Sequence, residues 1–143
     1  MAAYMDKVKE EARQKGFVKT YFGRRRELPE INSGLPQLVA QAERMAINAP
    51  IQGTEADIMK LAMIKISNFI KENKLERKAR ILLQVHDELL CEVEESSVRE
   101  LVGKFKKIME EIWPASQKLQ RGEQVGMPIV VDVKAGKNWA SLK

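Results

Sequence analysis

Residues 81 to 92 read ILLQVHDELLCE. Largely apolar positions from Ile81 to Val85 run into three consecutive polar groups, His86, Asp87 and Glu88, and apolar residues resume at Leu89 and Leu90. Two short apolar runs with a tight polar join predict a β-hairpin whose strands are mostly buried. Such a turn holds two carboxylates and an imidazole at the rim of a rigid sheet. Rigid support for exposed carboxylates is what a magnesium site for phosphate chemistry requires. Acidic residues are also common at hairpin turns, and an Asp-Glu pair taken alone reads as a solvated turn.

Outward from this hairpin the chain alternates helices with short strands. Downstream, Val98, Leu101, Val102, Phe105, Ile108, Met109 and Ile112 share one face, which predicts a helix from about Ser97 to Trp113, stopped by Pro114. A polar loop then leads to a last strand, PIVVDVKAG, at 128–136. Trp139 is expected to anchor that strand. Upstream, Ala56, Met59, Ala62, Met63, Ile66, Phe69 and Ile70 predict an amphipathic helix opened near Thr54, with Thr54 and Asp57 at capping-box spacing. The charged stretch KENKLERKAR closes it. A separate helix is predicted over 36–48, with Pro36 in its first turn and Pro50 interrupting it. Nearer the start, residues 4–15 predict a largely charged helix with one narrow apolar stripe, ended by Gly16. FVKTYF at 17–22 is β-rich, Gly23 turns the chain, and Arg24 to Leu28 can pair back. The expected fold is α+β, helices packed on one face of an antiparallel sheet.

The chain has 143 residues and a net charge of +5, enough length for a real core and a charge that suits an anionic partner. Nucleic acid and a membrane surface both qualify. No apolar run approaches the roughly 20 residues that span a bilayer, and no secretory signal precedes the first helix. Cys91 is the only cysteine, which excludes a disulfide framework and a thiolate metal cluster and fits a reducing cytoplasm. In an apolar strand it reads as a small core residue, and Met59, Met63 and Phe105 read as core as well.

ILLQVHDELLCE resembles motif C of the family A DNA polymerases, the bacterial DNA polymerase I type. A second stretch, ERMAINAPIQGTEADIMK at 43–60, resembles the family's palm helix that contacts primer and template. The two stand in the family's order and near its spacing. The resemblance covers nearly the whole chain. It implies the end of the fingers over 1–34, a helix plus hairpin, and part of the palm over 35–143. It also implies an enzyme part, a DNA-directed DNA polymerase acting in replication and repair, with primer-template DNA and dNTP as partners.

Carried over residue by residue, Asp87 matches the aspartate that bridges two magnesium ions in the complete enzyme. Glu88 sits beside it and assists, and His86 faces the primer terminus. Arg44, Asn48 and Gln52 match positions that reach the DNA near the primer end. Their spacing by four would put them on one helix face, only approximately so if Pro50 breaks the geometry. Asn and Gln donors in the minor groove can test pair shape without reading sequence. Arg24, Arg25 and Arg26 are candidate phosphate contacts. Each has a plainer reading: His86 as a hydrogen-bonded structural residue, Arg44 as a solvated charge, Asn48 as a helix cap, and the arginines as solvated surface.

The family's first palm aspartate and the fingers helix that binds the triphosphate have no counterpart here. The chain is therefore expected to need a missing N-terminal polymerase portion, to hold magnesium only weakly and to be inactive alone. The alternative is a non-catalytic nucleic-acid-binding or assembly module with a palm-like fold.

Overall fold

The computed structural model describes residues 2–113, 117–118, 124–125 and 128–142. Its order is α1 (Ala2–Lys15), β1 (Phe17–Lys19), β2 (Arg25–Glu27), α2 (Pro36–Glu72), β3 (Ala79–Val85), β4 (Glu88–Val93), α3 (Val98–Glu110), β5 (Gln117–Lys118) and β6 (Gln124–Val125). Single 3-10 turns lie at Pro29–Asn32, Glu95–Ser97 and Trp139–Leu142. Among the described residues three sheets form, each an antiparallel pair: β1 with β2, β3 with β4 and β5 with β6. Mixed helix and antiparallel sheet is the α+β class expected. Two compact units emerge, Met1–Asp57 and Ile58–Lys143, and α2 contributes to both.

In the first unit, Ala12 of α1, Val18, Leu28, Ile31 and Ala42 and Ala46 of α2 form a buried cluster, with Val8, Met45 and Ala49 packed against it. At the rim Glu43 accepts Lys9 Nζ at 3.1 Å and also pairs with Arg13. The hydrogen bond from Lys9, helped by the charges of Lys9 and Arg13, holds the Glu43 carboxyl below its ordinary range despite some desolvation. The strands of the first hairpin are shorter than expected. Thr20 to Arg24 close the turn, with Gly23 at φ 87°, a backbone conformation that L side chains rarely adopt.

Pro50 does not break the helix. α2 runs unbroken from Pro36 to Glu72. Proline removes one amide donor and crowds the preceding turn, a cost of about 3 kcal/mol in a helix interior. Here the Thr54 hydroxyl donates to Pro50 O at 2.5 Å. Apolar residues are buried on either side of the proline, Ala42 and Ala46 before it and Met59 and Ala62 after it. Packing of this kind, rather than local propensity, supplies most helix stability in proteins. Thr54 is thus a mid-helix residue and opens nothing.

In the second unit, α2 buries Met59, Ala62, Ile66 and Ile70. It ends where Lys74 takes φ 55° and Leu75 N donates to Ile70 O at 2.8 Å, a Schellman-type stop. Ile66, Ile70, Ala79, Leu101 and Phe105 form the core, flanked by Phe69, Ile81, Leu89, Cys91 and Val93. Phe69 and Phe105 meet edge to face, centroids 6.2 Å apart. Helices therefore cover one face of the β3–β4 hairpin.

Four further expectations need correction. The hairpin strands are half covered rather than mostly buried: Leu82 and Leu83 are 52% and 42% exposed. The register slips between Ile81 and Leu83, so Ile81 pairs with Cys91 but Gln84 pairs with Leu89. Around the extra residue Leu82, Leu83 and Gln84 are all exposed. α3 ends at Glu110, short of Trp113, and the stop at Pro114 lies outside the described residues. Finally, 128–136 forms no strand; Val131 N donates to Glu110 Oε1 at 3.1 Å instead. A strand exists only when its backbone groups find a neighbour, and among the described residues none pairs with this segment. Trp139 accordingly anchors no strand; it starts a 3-10 turn and is 50% exposed.

Candidate nucleic-acid interface

Because α2 is continuous, Arg44, Asn48 and Gln52 lie on one exposed helix face. Each step of four residues advances one turn plus roughly 40°, so the three span an arc of about 80°. The shared face is a consequence of Pro50 remaining helical. Ile51, 60% exposed, stands beside them.

The β1–β2 hairpin meets this helix within the same unit. A recess of about 150 Å³ is lined by Lys19, Arg24, Arg25 and Arg26 from the hairpin and by Gln52 and Gly53 from α2. Sequence reading placed the arginines and Gln52 at separate points; the fold brings them around one hollow. The arginines are not equivalent. Arg25 lies over the Phe17 ring, 4.3 Å from its centroid, and Arg26 donates to the Met45 sulfur at 3.3 Å. Arg24 donates from Nε to Asp57 Oδ1 at 2.8 Å and from a terminal nitrogen to Gly53 O at 2.9 Å. Sequence spacing alone gives Asp57 only as half of a capping box.

His86, Asp87 and Glu88 form a second cluster, in the other unit. Val85 pairs with Glu88, leaving His86 and Asp87 as the two turn residues. His86 has φ 52°, a left-handed backbone conformation that L side chains rarely adopt. A histidine there is locally strained by about 1–2 kcal/mol. Gln84 braces the turn, its Nε2 donating to His86 O at 2.5 Å. Sequence reading missed Gln84, although a lone amide inside an apolar strand was the available signal. His86, Asp87 and Glu88 are all exposed.

The family model for DNA polymerase family A matches residues 1–141. Thermostable DNA polymerase I of Thermus caldophilus is 41% identical over 141 residues, 99% of this chain and 15% of that protein. DNA polymerase I of Pseudomonas aeruginosa is 42% identical over 137 residues, 96% of this chain and 14% of that protein. Among solved structures, the POL domain of Pol1 from M. smegmatis, in complex with DNA primer-template and dNTP, superposes with a TM-score of 0.75. That likeness has 47% identity over 79% of this chain and 20% of that one. The chain belongs to DNA polymerase family A. It spans about 15% of the length of the curated relatives it matches.

A family of this kind implies a divalent metal. Asp87 and Glu88 offer hard oxygen donors on a braced turn, which suits magnesium. Among the described residues, however, no group of three or more His, Cys, Asp or Glu could hold a metal ion. No helix among the described residues is long and apolar enough to cross a membrane.

Proposed function

We propose that this chain contributes the primer side of a family A DNA polymerase, a DNA-directed enzyme that joins dNTPs to a primer under template direction. The observation that carries this reading is the His86–Asp87–Glu88 turn, exposed yet held by Gln84 in a strained backbone conformation. Strain of that kind persists where the surrounding structure enforces it and clusters at functional sites. Residues 1–34 are assigned to the end of the fingers and 35–143 to part of the palm. The setting is cytoplasmic, as the single reduced cysteine suits.

In the reaction a primer hydroxyl attacks the α-phosphorus of the dNTP and pyrophosphate leaves. Magnesium, when bound, stabilises the negative charge that develops on attacking and leaving oxygens. Asp87 supplies one carboxylate for it, and a further carboxylate must come from outside this chain. Glu88 assists from the adjacent position. Asn48 and Gln52 donate hydrogen bonds to minor-groove acceptors of the primer-terminal pairs, and His86 faces the terminus. Arg44, Arg25 and Arg26 lie along the DNA backbone.

Primer extension tests this directly. The chain alone is expected to give none. Mixed with the N-terminal portion of a family A polymerase, it is expected to restore magnesium-dependent synthesis. Duplex binding without extension in the mixture would favour a non-catalytic nucleic-acid-binding module, a reading that the partial donor set supports.

A further inference from the structure

Arg24 differs from its two neighbours in how it uses its charge. Its planar fork is engaged by the protein itself, with Asp57 Oδ1 at 2.8 Å and Gly53 O at 2.9 Å. The Asp57 side chain is only 12% exposed, so the pair sits against the helix. A guanidinium already neutralised by a carboxylate has little charge left for a phosphate. One surrounding contact joins the same two elements and two others brace each of them internally. Tyr21 N donates to Thr54 Oγ1 at 2.9 Å, and that hydroxyl donates to Pro50 O. Arg24 N donates to Thr20 Oγ1 at 3.2 Å. Gly53 allows the close approach: a Cβ there would lie 2.6 Å from Thr20 Cγ2. These anchor points follow directly on Pro50, and Asn48 and Gln52 bracket that proline.

We propose that Arg24, Asp57 and Gly53 form a lock that seats the β1–β2 turn on α2 and so presents Arg25, Arg26 and Gln52 as one duplex-binding surface. Arg24 is then a positioning residue and not a phosphate contact. The inference rests on the reading of that surface as a contact for primer-template DNA. Asp57 separates the two roles by sign. If Arg24 touched a phosphate, Asp57→Asn would remove an opposing charge and tighten binding. With Arg24 as the lock, the same change loosens the hairpin and weakens binding although the protein becomes more positive.

The test is anisotropy of a fluorescent primer-template duplex titrated with the 143-residue chain over a range of KCl concentrations. Arg24→Ala and Asp57→Asn are each expected to weaken binding about tenfold, the loss of a charge-assisted contact. The double variant should be no worse than either, because both remove one coupled element. Gly53→Ala, which keeps every charge, should weaken binding too. Thermal melts identify any variant that has lost its fold, and Gly53→Ala and Asp57→Asn serve as independent probes. Tighter binding by Asp57→Asn, or additive losses in the double variant, would overturn the lock alone. Failure of the unaltered chain to bind duplex would overturn the surface reading and this inference with it.

Discussion

Asp87→Ala separates chemistry from folding more sharply than any other single change. Asp87 is exposed at the second position of the turn, and the Gln84 brace reaches the His86 carbonyl rather than the Asp87 side chain. Removing the carboxylate therefore deletes no apolar burial and no hydrogen bond that holds the hairpin. Changes at such surface positions usually stay within about 0.5 kcal/mol of stability. Loss of a charge-stabilising group at a reacting centre costs about 3–4 kcal/mol. At about 1.36 kcal/mol per factor of ten, that is a fall of two to three orders of magnitude in rate. Duplex affinity should hold steady or rise slightly, since one negative charge is gone. The assay is single-turnover primer extension with the chain combined with an N-terminal polymerase portion, alongside urea denaturation of the chain itself. Turnover within tenfold of the unaltered chain would show that Asp87 is an ordinary turn residue. A stability loss above about 1.5 kcal/mol would show that it is structural. Glu88→Ala, one position away, should lower turnover less.

Replacing Asn48 or Gln52 with Ala should cost on the order of 1 kcal/mol in holding a matched primer terminus, alike for all base pairs and with little salt dependence; extension from matched and mismatched primers checks this. In contrast, Arg25→Ala and Arg26→Ala should flatten the salt dependence of duplex binding, by about 0.9 in the log–log slope per lost phosphate contact. Phe105→Ala should destabilise the second unit by about 3–5 kcal/mol through loss of a large core side chain, whereas Ile64→Ala, at a position 56% exposed, should stay near neutral in the same urea titration. Burial pushes the Cys91 thiol from 9.0 to about 11. Alkylation should therefore be slow at neutral pH and quicken only in strongly alkaline solution. Because the folded value lies above the unfolded one, this group's contribution to stability is intact below about pH 9 and declines as pH rises towards about 11.

What the sequence determined by itself was local and periodic. The β3–β4 hairpin with its polar turn follows from two apolar runs broken at His86. The apolar face of α3 follows from a repeat that only a helix can align, and the motifs at 43–60 and 81–92 carry the family. The tertiary structure decided whatever depends on a neighbour. Proline in a helix interior carries a cost that sequence alone shows, but whether α2 breaks there depends on the side chains packed to either side of Pro50. Consecutive arginines look alike in a sequence; only the approach of Asp57 and Gly53 sets Arg24 apart from Arg25 and Arg26. The strand expected at 128–136 has the right residues, yet strand hydrogen bonds require a second chain segment, which no local pattern supplies. The slip at Leu82 is likewise set by pairing across the hairpin, and the Gln84 contact that braces the His86–Asp87 turn appears only in the folded chain.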